Sequence, residues 1–296
     1  FAYYAEIPSV FINVQRVGPS TGMPTRTQQA DVLMCAYASH GDTRHPILFP
    51  SNPRECFEMA VKSFDLAERL QTPVFLLSDL DIGMNDWMVP ELRWDDSYQP
   101  DRGKVLGPEE LAKMDRFVRY LDVDEDGITY RTLPGEDPKG AYFTRGSGHN
   151  RYGAYTEDSD EYQDIMDRLL VKWDRAKTLV PDAVISNCSQ KTRLGIVAYG
   201  SSDGAVIEAR DRLAEEGIYA DYMRIRAFPF TREVVDFLQA HDTIFVVEQN
   251  RDAQMKSLLM LEANDIADRL VSILHYNGMP IPSECVVSGI SEHQAA

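Results

Sequence analysis

The sequence predicts an α/β protein built on parallel sheet, and three observations predict it. Short apolar, β-branched runs stand at VFINV (10–14), TPVFLLSD (72–79), LGIVAY (194–199) and TIFVV (243–247), each bounded by turn residues as buried strands are. Segments of helical spacing follow or separate them, and a strand, crossover helix and strand in that order imply parallel pairing. Residues of about 85 to 160 break the pattern with many Asp, Gly and Pro, leaving two αβ blocks around an irregular middle. A chain of 296 residues has length for about two domains.

Each element has its own reason. FAYYAEIPSV carries no initiator Met, basic n-region or cleavage signal, and its aromatic and alanine content suits the last turns of a helix broken before Pro8, so the chain reads as the continuation of a longer polypeptide. VFINV is a strand, and the turn-rich stretch NVQRVGPSTGMPTRTQQAD (13–31) then lies at its carboxyl end. ECFEMAVKSFDLAERL (55–70) follows the punctuation SNP and sets Phe57, Ala60, Val61, Phe64 and Ala67 on one helical face. TPVFLLSD is the next strand, with Pro73 tolerated at its start. The irregular middle is too long for a plain linker and points to function or an interface. SDEYQDIMDRLLVKWDRAKTLVP returns to helix; LGIVAYGSSDGAVIEARDRLAEEGI gives strand, turn, helix and a Gly217 cap; TIFVVEQN and DAQMKSLLMLE add a strand and a helix. The second block is a compact αβ domain of roughly 110 residues.

Composition excludes several functions. A formal charge of -17 opposes polyanions, so no nucleic-acid partner is expected. No apolar stretch approaches the roughly 20 residues of a membrane span, and no membrane role is expected. Cys35, Cys56, Cys188 and Cys285 stand far apart with no CxxC pair, so neither a zinc ribbon nor an iron-sulfur ligand run is present, no metal site is predicted, and reduced thiols of a cytoplasmic protein are expected.

Several local signals are weaker than they look. DVDEDG (122–127) opens like a calcium loop, but the closing bidentate Glu is replaced by Leu133, so it is read as an acidic turn. RGSGHNRYG (145–153) gathers Arg145, His149 and Arg151 among glycines; a flexible loop and an anion cradle are both open. AYGSSDG (198–204) follows a strand and opens a helix, yet has no P-loop lysine and places Asp203 where a helix cap would stand. HGDTRHP (40–46) is a dense polar cluster without a catalytic signature, and Trp87, Trp94 and Trp173 are read as packing.

The loop at 13–31 carries the chemistry. Consecutive turns at Gly18, Pro19, Gly22 and Pro24 with solvated arginines are the plain alternative. Against it, ligands of open parallel sheets bind outside the carboxyl ends of strands, and a guanidinium there pairs bidentately with carboxylate or phosphate while threonine hydroxyls complete the shell. An anion site is favoured, its anion unnamed.

VQRVGPSTGMPTRTQQAD resembles the signature loop of the alpha subunit of 2-oxoacid:ferredoxin oxidoreductases, especially the 2-oxoglutarate type. HGDTRHPILFPSNPRECFEMAVKSFDLAERLQTPVFLLSD is similar to the rest of that subunit's pyrimidine-binding domain, LPGEDPKGAYFTRGSGHNRYG to its connecting region, and GIVAYGSSDGAVIEARDRL with IFVVEQNRDAQ to its transketolase C-terminal-like domain. The resemblance implies a C-terminal part of the pyrimidine-binding domain at 1–84, an irregular connecting region with a helix at 85–185, and a transketolase C-terminal-like αβ domain at 186–296. It implies an enzyme that uses thiamine diphosphate to decarboxylate a 2-oxo acid, passes electrons through a [4Fe-4S] cluster to ferredoxin and transfers the acyl group to coenzyme A, interconverting 2-oxoglutarate with succinyl-CoA and CO2. Thiamine diphosphate, Mg2+ and the cluster are then expected mainly on a beta subunit, with a dimer of alpha-beta pairs as the assembly. By motif position Arg16 is the arginine beside the 2-oxo acid group and a catalytic residue, and Thr25 the threonine near the distal carboxylate; both are substrate-binding. Arg26 is given loop support or subunit contact. No cofactor-binding residue is assigned, because the family's activating glutamate falls upstream of Phe1. Pyruvate or another 2-oxo acid as substrate, and a noncatalytic assembly module, remain the alternatives.

Overall fold

The computed structural model describes residues 1–295. In chain order they form β1 (Ser9–Gln15), α1 (Val32–Ala36), β2 (Ile47–Leu48), α2 (Pro53–Leu70), β3 (Pro73–Asp79), α3 (Leu80–Met84), α4 (Pro108–Ala112), α5 (Ser159–Ala176), β4 (Val184–Ser186), β5 (Leu194–Tyr199), α6 (Asp203–Glu215), β6 (Asp221–Ile225), β7 (Ala227–Phe228), α7 (Arg232–Ala240), β8 (Thr243–Glu248), α8 (Gln254–Glu262), β9 (Leu270–Leu274) and α9 (Ser283–Ala295). The chain divides into two compact units, each made of separated segments. One takes Phe1–Val10, Lys62–Val74 and Asp95–Leu179; the other takes Phe11–Val61, Phe75–Trp94 and the chain from Val180 onward.

The second unit holds the sheets. One has four strands in the order β1-β3-β2-β7, with β2 parallel to β3 (Ile47 opposite Phe75) and antiparallel to β7. The other has five, β4-β6-β5-β8-β9, parallel throughout except at the β4 edge. Parallel strands buried on both faces read as unbroken apolar runs, and Ile196, Val197, Ala198, Ile244, Phe245, Val246 and Val247 are all fully buried. α6 lays Val206, Ala209 and Leu213 on this sheet beside Val286 and Ile290 of α9. α6 ends as expected: Gly217 takes φ +80, and Ile218 N–H returns to Leu213 C=O at 2.9 Å.

α2 starts where SNP predicts. Asn52 Oδ1 accepts the Glu55 N–H at 3.0 Å, Pro53 takes the first helical position, and Glu55 Oε2 accepts from Ser51 N–H at 3.0 Å. Its buried stripe is a correction, however. Met59, Ser63, Leu66, Ala67 and Leu70 face inward, whereas Phe57 is half-buried and Phe64 is 59% exposed. Both stripes have helical spacing, so periodicity alone could not choose the sheet-facing one.

The first unit is organised by α5. Asp158 caps it, accepting from Asp160 and Glu161 N–H at 3.0 Å each, and Ile165, Leu169 and Tyr120 form a buried cluster on which Tyr3 and Tyr4 pack. Residues 2–6 make a turn, with Ala5 N–H donating to Phe1 C=O at 2.9 Å. Glu6 ends that turn with φ +55 and is wholly buried between Arg168, whose Nη1 is 3.1 Å away, and Lys172, whose Nζ is 2.8 Å away. Although burial alone would raise its carboxyl, these two cations hold it well below the usual range.

Candidate functional site

The recognition loop leaves β1 at Gln15 and is closed by its own backbone. Val17 N–H donates to Arg26 C=O at 2.9 Å, and Arg26 N–H donates to Met23 C=O at 3.1 Å. Arg16 and Thr25 each precede one member of the Val17–Arg26 pair, so the loop brings the two predicted site residues to its neck. Gly22 makes the closure possible: it sits at φ +51, and a β-carbon there would fall 2.1 Å from Val17 O.

Both Arg16 and Thr25 are exposed, as is Arg26. Among the described residues neither loop guanidinium has an acidic partner. Several other cations are matched, among them Arg168 with Glu6, Arg224 with Glu55 at 2.7 Å and Arg193 with Asp242 at 2.5 Å. Two exposed guanidiniums on one turn leave their bidentate donor forks open to an outside anion.

The exit of the loop is gripped tightly. Gln29 is fully buried; its Nε2 donates to Tyr199 O at 3.1 Å, its Oε1 accepts from Ser202 Oγ and Gln249 N at 3.2 Å each, and its carbonyl accepts from Asn250 Nδ2 at 3.0 Å. Gly200, at φ +58, lets the chain pass: a β-carbon would come within 2.8 Å of Gln29 Nε2. Gln254 then bridges Ala30 C=O and Leu33 N–H, at 2.6 and 3.1 Å. At the end of β3, Asp79 accepts from Ser201 Oγ at 2.6 Å and caps α3 through Asp81 and Ile82 N–H. Burial raises the Asp79 carboxyl, and burial with the neighbouring Asp79 charge pushes Asp81 up to about 6. Gln15 Nε2 reaches Ser78 O at 3.4 Å. The carboxyl ends of β1, β3, β5 and β8 are thus stitched beside one loop, the place where open α/β sheets hold ligands.

Other sequence signals resolve differently. Asp203 does not cap α6 through its side chain; it accepts from Tyr222 Oη at 2.9 Å and Arg224 Nε at 3.2 Å. Arg145, His149 and Arg151 do not form one cradle: His149 is buried beside Tyr4 and Tyr120, Arg151 pairs with Asp164 at 3.0 Å, and Arg145 lies over Phe143. In DVDEDG, Lys104 Nζ sits 2.7 Å from Asp124 and 2.8 Å from Asp126. Burial opposes its charge, yet these bonds raise the Lys104 pKa. Gln29, Asp79 and Gln249 were not singled out from sequence, because isolated polar residues beside glycines and serines carry no periodic signal.

Comparison with known proteins accords with this geometry. The family model described as pyruvate flavodoxin/ferredoxin oxidoreductase, thiamine diP-bdg, matches residues 1–112. The front of the chain is thus similar to a thiamine-diphosphate-binding class of α/β protein. The 2-oxoacid:ferredoxin oxidoreductase 2 subunit alpha of Aeropyrum pernix is 33% identical over 288 residues, 95% of this chain and 43% of the relative. The 2-oxoglutarate synthase subunit KorA of Methanothermobacter thermautotrophicus is 29% identical, over 84% of this chain and 64% of the relative. A solved structure of 2-oxoglutarate:ferredoxin oxidoreductase from Magnetococcus marinus, with 2-oxoglutarate, coenzyme A and succinyl-CoA bound, matches with a TM-score of 0.88 and 25% identity over 98% of this chain and 49% of that one. The chain is homologous to the alpha subunits of the 2-oxoacid:ferredoxin oxidoreductases and shares their fold. It spans about half the length of the Aeropyrum and Magnetococcus relatives.

Proposed function

We propose that the chain is part of the alpha subunit of a thiamine-diphosphate-dependent 2-oxoglutarate:ferredoxin oxidoreductase, interconverting 2-oxoglutarate plus coenzyme A with succinyl-CoA plus CO2. The observation that carries this is the loop at the sheet's carboxyl edge with its two unmatched arginines. In this reading residues 1–84 are the C-terminal part of a pyrimidine-binding domain, 85–185 connect, and 186–296 are the transketolase C-terminal-like domain.

The residues of this chain bind and orient. The Arg16 fork holds the carboxylate next to the reacting carbonyl, and the Thr25 hydroxyl donates to the distal carboxylate, where a charge-assisted partner offsets desolvation. The loop reaches this geometry before substrate arrives because Gln29 and Gly22 fix its exit and closure, so little ordering is left to binding. Thiamine diphosphate, when bound, supplies the ylid chemistry that expels CO2. The residues present do not fit the metal groups: the four cysteines are free and dispersed, and the described residues bring together no three His, Cys, Asp or Glu side chains for an ion. In this reading Mg2+ and the [4Fe-4S] cluster lie mainly on a beta subunit, onto which the acidic alpha chain leaves ferredoxin to dock. A dimer of alpha-beta pairs in the cytoplasm is the assembly in this reading.

Turnover of the full-length subunit with its partner, assayed on a panel of 2-oxo acids with ferredoxin as acceptor, tests the proposal. Preference for 2-oxoglutarate supports it; preference for pyruvate or a branched 2-oxo acid moves the chain to the broader activity; absence of turnover by a complex loaded with cofactor leaves an assembly module.

A further inference from the structure

After α3 the chain runs bare. Residues 86–93, DWMVPELR, belong to no helix or strand, and among the described residues none of their backbone N–H or C=O groups has a hydrogen-bond partner. The apolar side chains are open as well, although Trp87 Nε1 donates to Asp81 C=O at 3.4 Å. Met88 is 101% exposed, and Met84, Trp87, Val89, Leu92 and Trp94 are also exposed, though Trp94 rests edge-on against Phe57 with ring centroids 6.3 Å apart. Six exposed large apolar side chains fall within eleven residues, whereas solvated proteins scatter such residues singly. Met and Trp are also the types that interfaces favour.

The charges around the strap choose its occupant. Asp81, Asp86, Glu91, Asp95 and Asp96 flank it, and its one base, Arg93, is already held by Glu91 at 2.6 Å. A second copy of this chain would set the same acids face to face, which is repulsive; a surface rimmed by lysine and arginine is complementary. Its position adds a functional reason. The strap leaves the carboxyl end of β3, whose Ser78 carbonyl accepts from Gln15, the residue immediately before Arg16.

We propose that residues 84–94 are a docking strap for a partner subunit, which meets it with an apolar groove rimmed by basic residues. The inference rests on reading the chain as one subunit of a multi-subunit oxidoreductase. The test uses the full-length protein with its beta subunit. With the photoreactive residue p-benzoylphenylalanine in place of Met88, irradiation should crosslink the two subunits; the same residue in place of Ile207, half exposed on α6, should not. Met88→Glu should weaken subunit affinity roughly tenfold or more while leaving the circular dichroism of the isolated chain unchanged. Crosslinking only to a second copy of this chain, no crosslink at all, or a Met88→Glu affinity within about twofold of the parent would overturn the proposal. The two readings fail separately. A complex assembled through Met88 that does not turn over 2-oxoglutarate sinks the functional reading alone, and an active complex indifferent to Met88→Glu sinks the strap alone.

Discussion

Gln29 and Tyr199 are hydrogen-bonded in both directions: Gln29 Nε2 donates to the Tyr199 carbonyl at 3.1 Å, and the Tyr199 hydroxyl donates to the Gln29 carbonyl at 3.2 Å. The pair fastens the loop that carries Arg16 and Thr25 to the carboxyl end of β5. Gln29→Met keeps the side chain's length and removes its polar bonds, stranding buried groups at a cost of about 1 to 3 kcal/mol each. Amide hydrogen exchange across residues 17–31 should accelerate, and kcat/KM should fall for every 2-oxo acid. Unchanged exchange in that segment would show that the loop does not depend on this clamp.

Arg16 and Thr25 should fail in different ways. Arg16→Lys retains the charge and loses the planar fork, so kcat/KM should drop for all 2-oxo acids by about 2 to 5 kcal/mol. Thr25→Val keeps the shape and removes one donor, costing about 1 to 3 kcal/mol with 2-oxoglutarate and little with pyruvate, which has no distal carboxylate. The measurement is the ratio of kcat/KM for 2-oxoglutarate over pyruvate. If Arg16→Lys moves that ratio and Thr25→Val leaves it alone, the two roles are wrongly assigned.

Glu55 gives the fold an acid limit. Its carboxylate is held by Arg224 at 2.7 and 2.9 Å and by Arg226 at 3.3 Å. Burial opposes ionisation, but the hydrogen bonds and charge of Arg224, the Ser51 N–H and the Arg226 charge together outweigh it and bring the pKa down from 4.5 to about 2. A depressed carboxyl stabilises the folded chain fully above its unfolded pKa and loses that contribution as pH falls through the folded one, so a stability loss is expected between about pH 4.5 and 2. Glu55→Gln should cost about 3 kcal/mol at neutral pH and flatten that acid limb in thermal melts. A melt series as steep as the parent's over that range would rule Glu55 out as its source.

DVDEDG should bind no calcium at micromolar concentration, since the Lys104 ammonium already lies between Asp124 and Asp126. Isothermal calorimetry is expected to show no heat above dilution. Tight binding lost in Asp124→Ala would contradict this.

The long elements were legible because their signals are local. VFINV, TPVFLLSD and TIFVV are apolar-rich runs, and the SNP start of α2 and the Gly217 stop of α6 use backbone chemistry that lies within a few residues of sequence. The burial expected of VFINV is corrected, since β1 is an edge strand with Phe11, Ile12 and Val14 exposed, and a run of apolar residues does not say which strand ends a sheet. β6, DYMRI, mixes charged and apolar residues, and β2 is two residues long; both are strands because neighbours pair with them. The same limit governs the site. Arg16 and Thr25 could be found in a loop whose turns announce themselves, but the partners of Gln29 stand 170 to 221 residues away, and no spacing rule reaches that far. The α2 stripe shows a third limit: two helical faces of similar hydrophobicity are told apart only by the sheet that covers one of them.

The burial of Glu6 between Arg168 and Lys172 fixes an order of events during synthesis. The acid is polymerised first, and its nearest bases follow 162 and 166 residues later. At ribosomal speeds that separation is roughly 8 to 30 s, during which an ionised Glu6 has nothing but water to solvate it and must stay outside any apolar collapse. Nor can α5 bury its two cations without it. The unit built from residues 1–10, 62–74 and 95–179 therefore locks late, in one step, when a helix emerging from the ribosome retrieves a residue made more than 160 residues earlier.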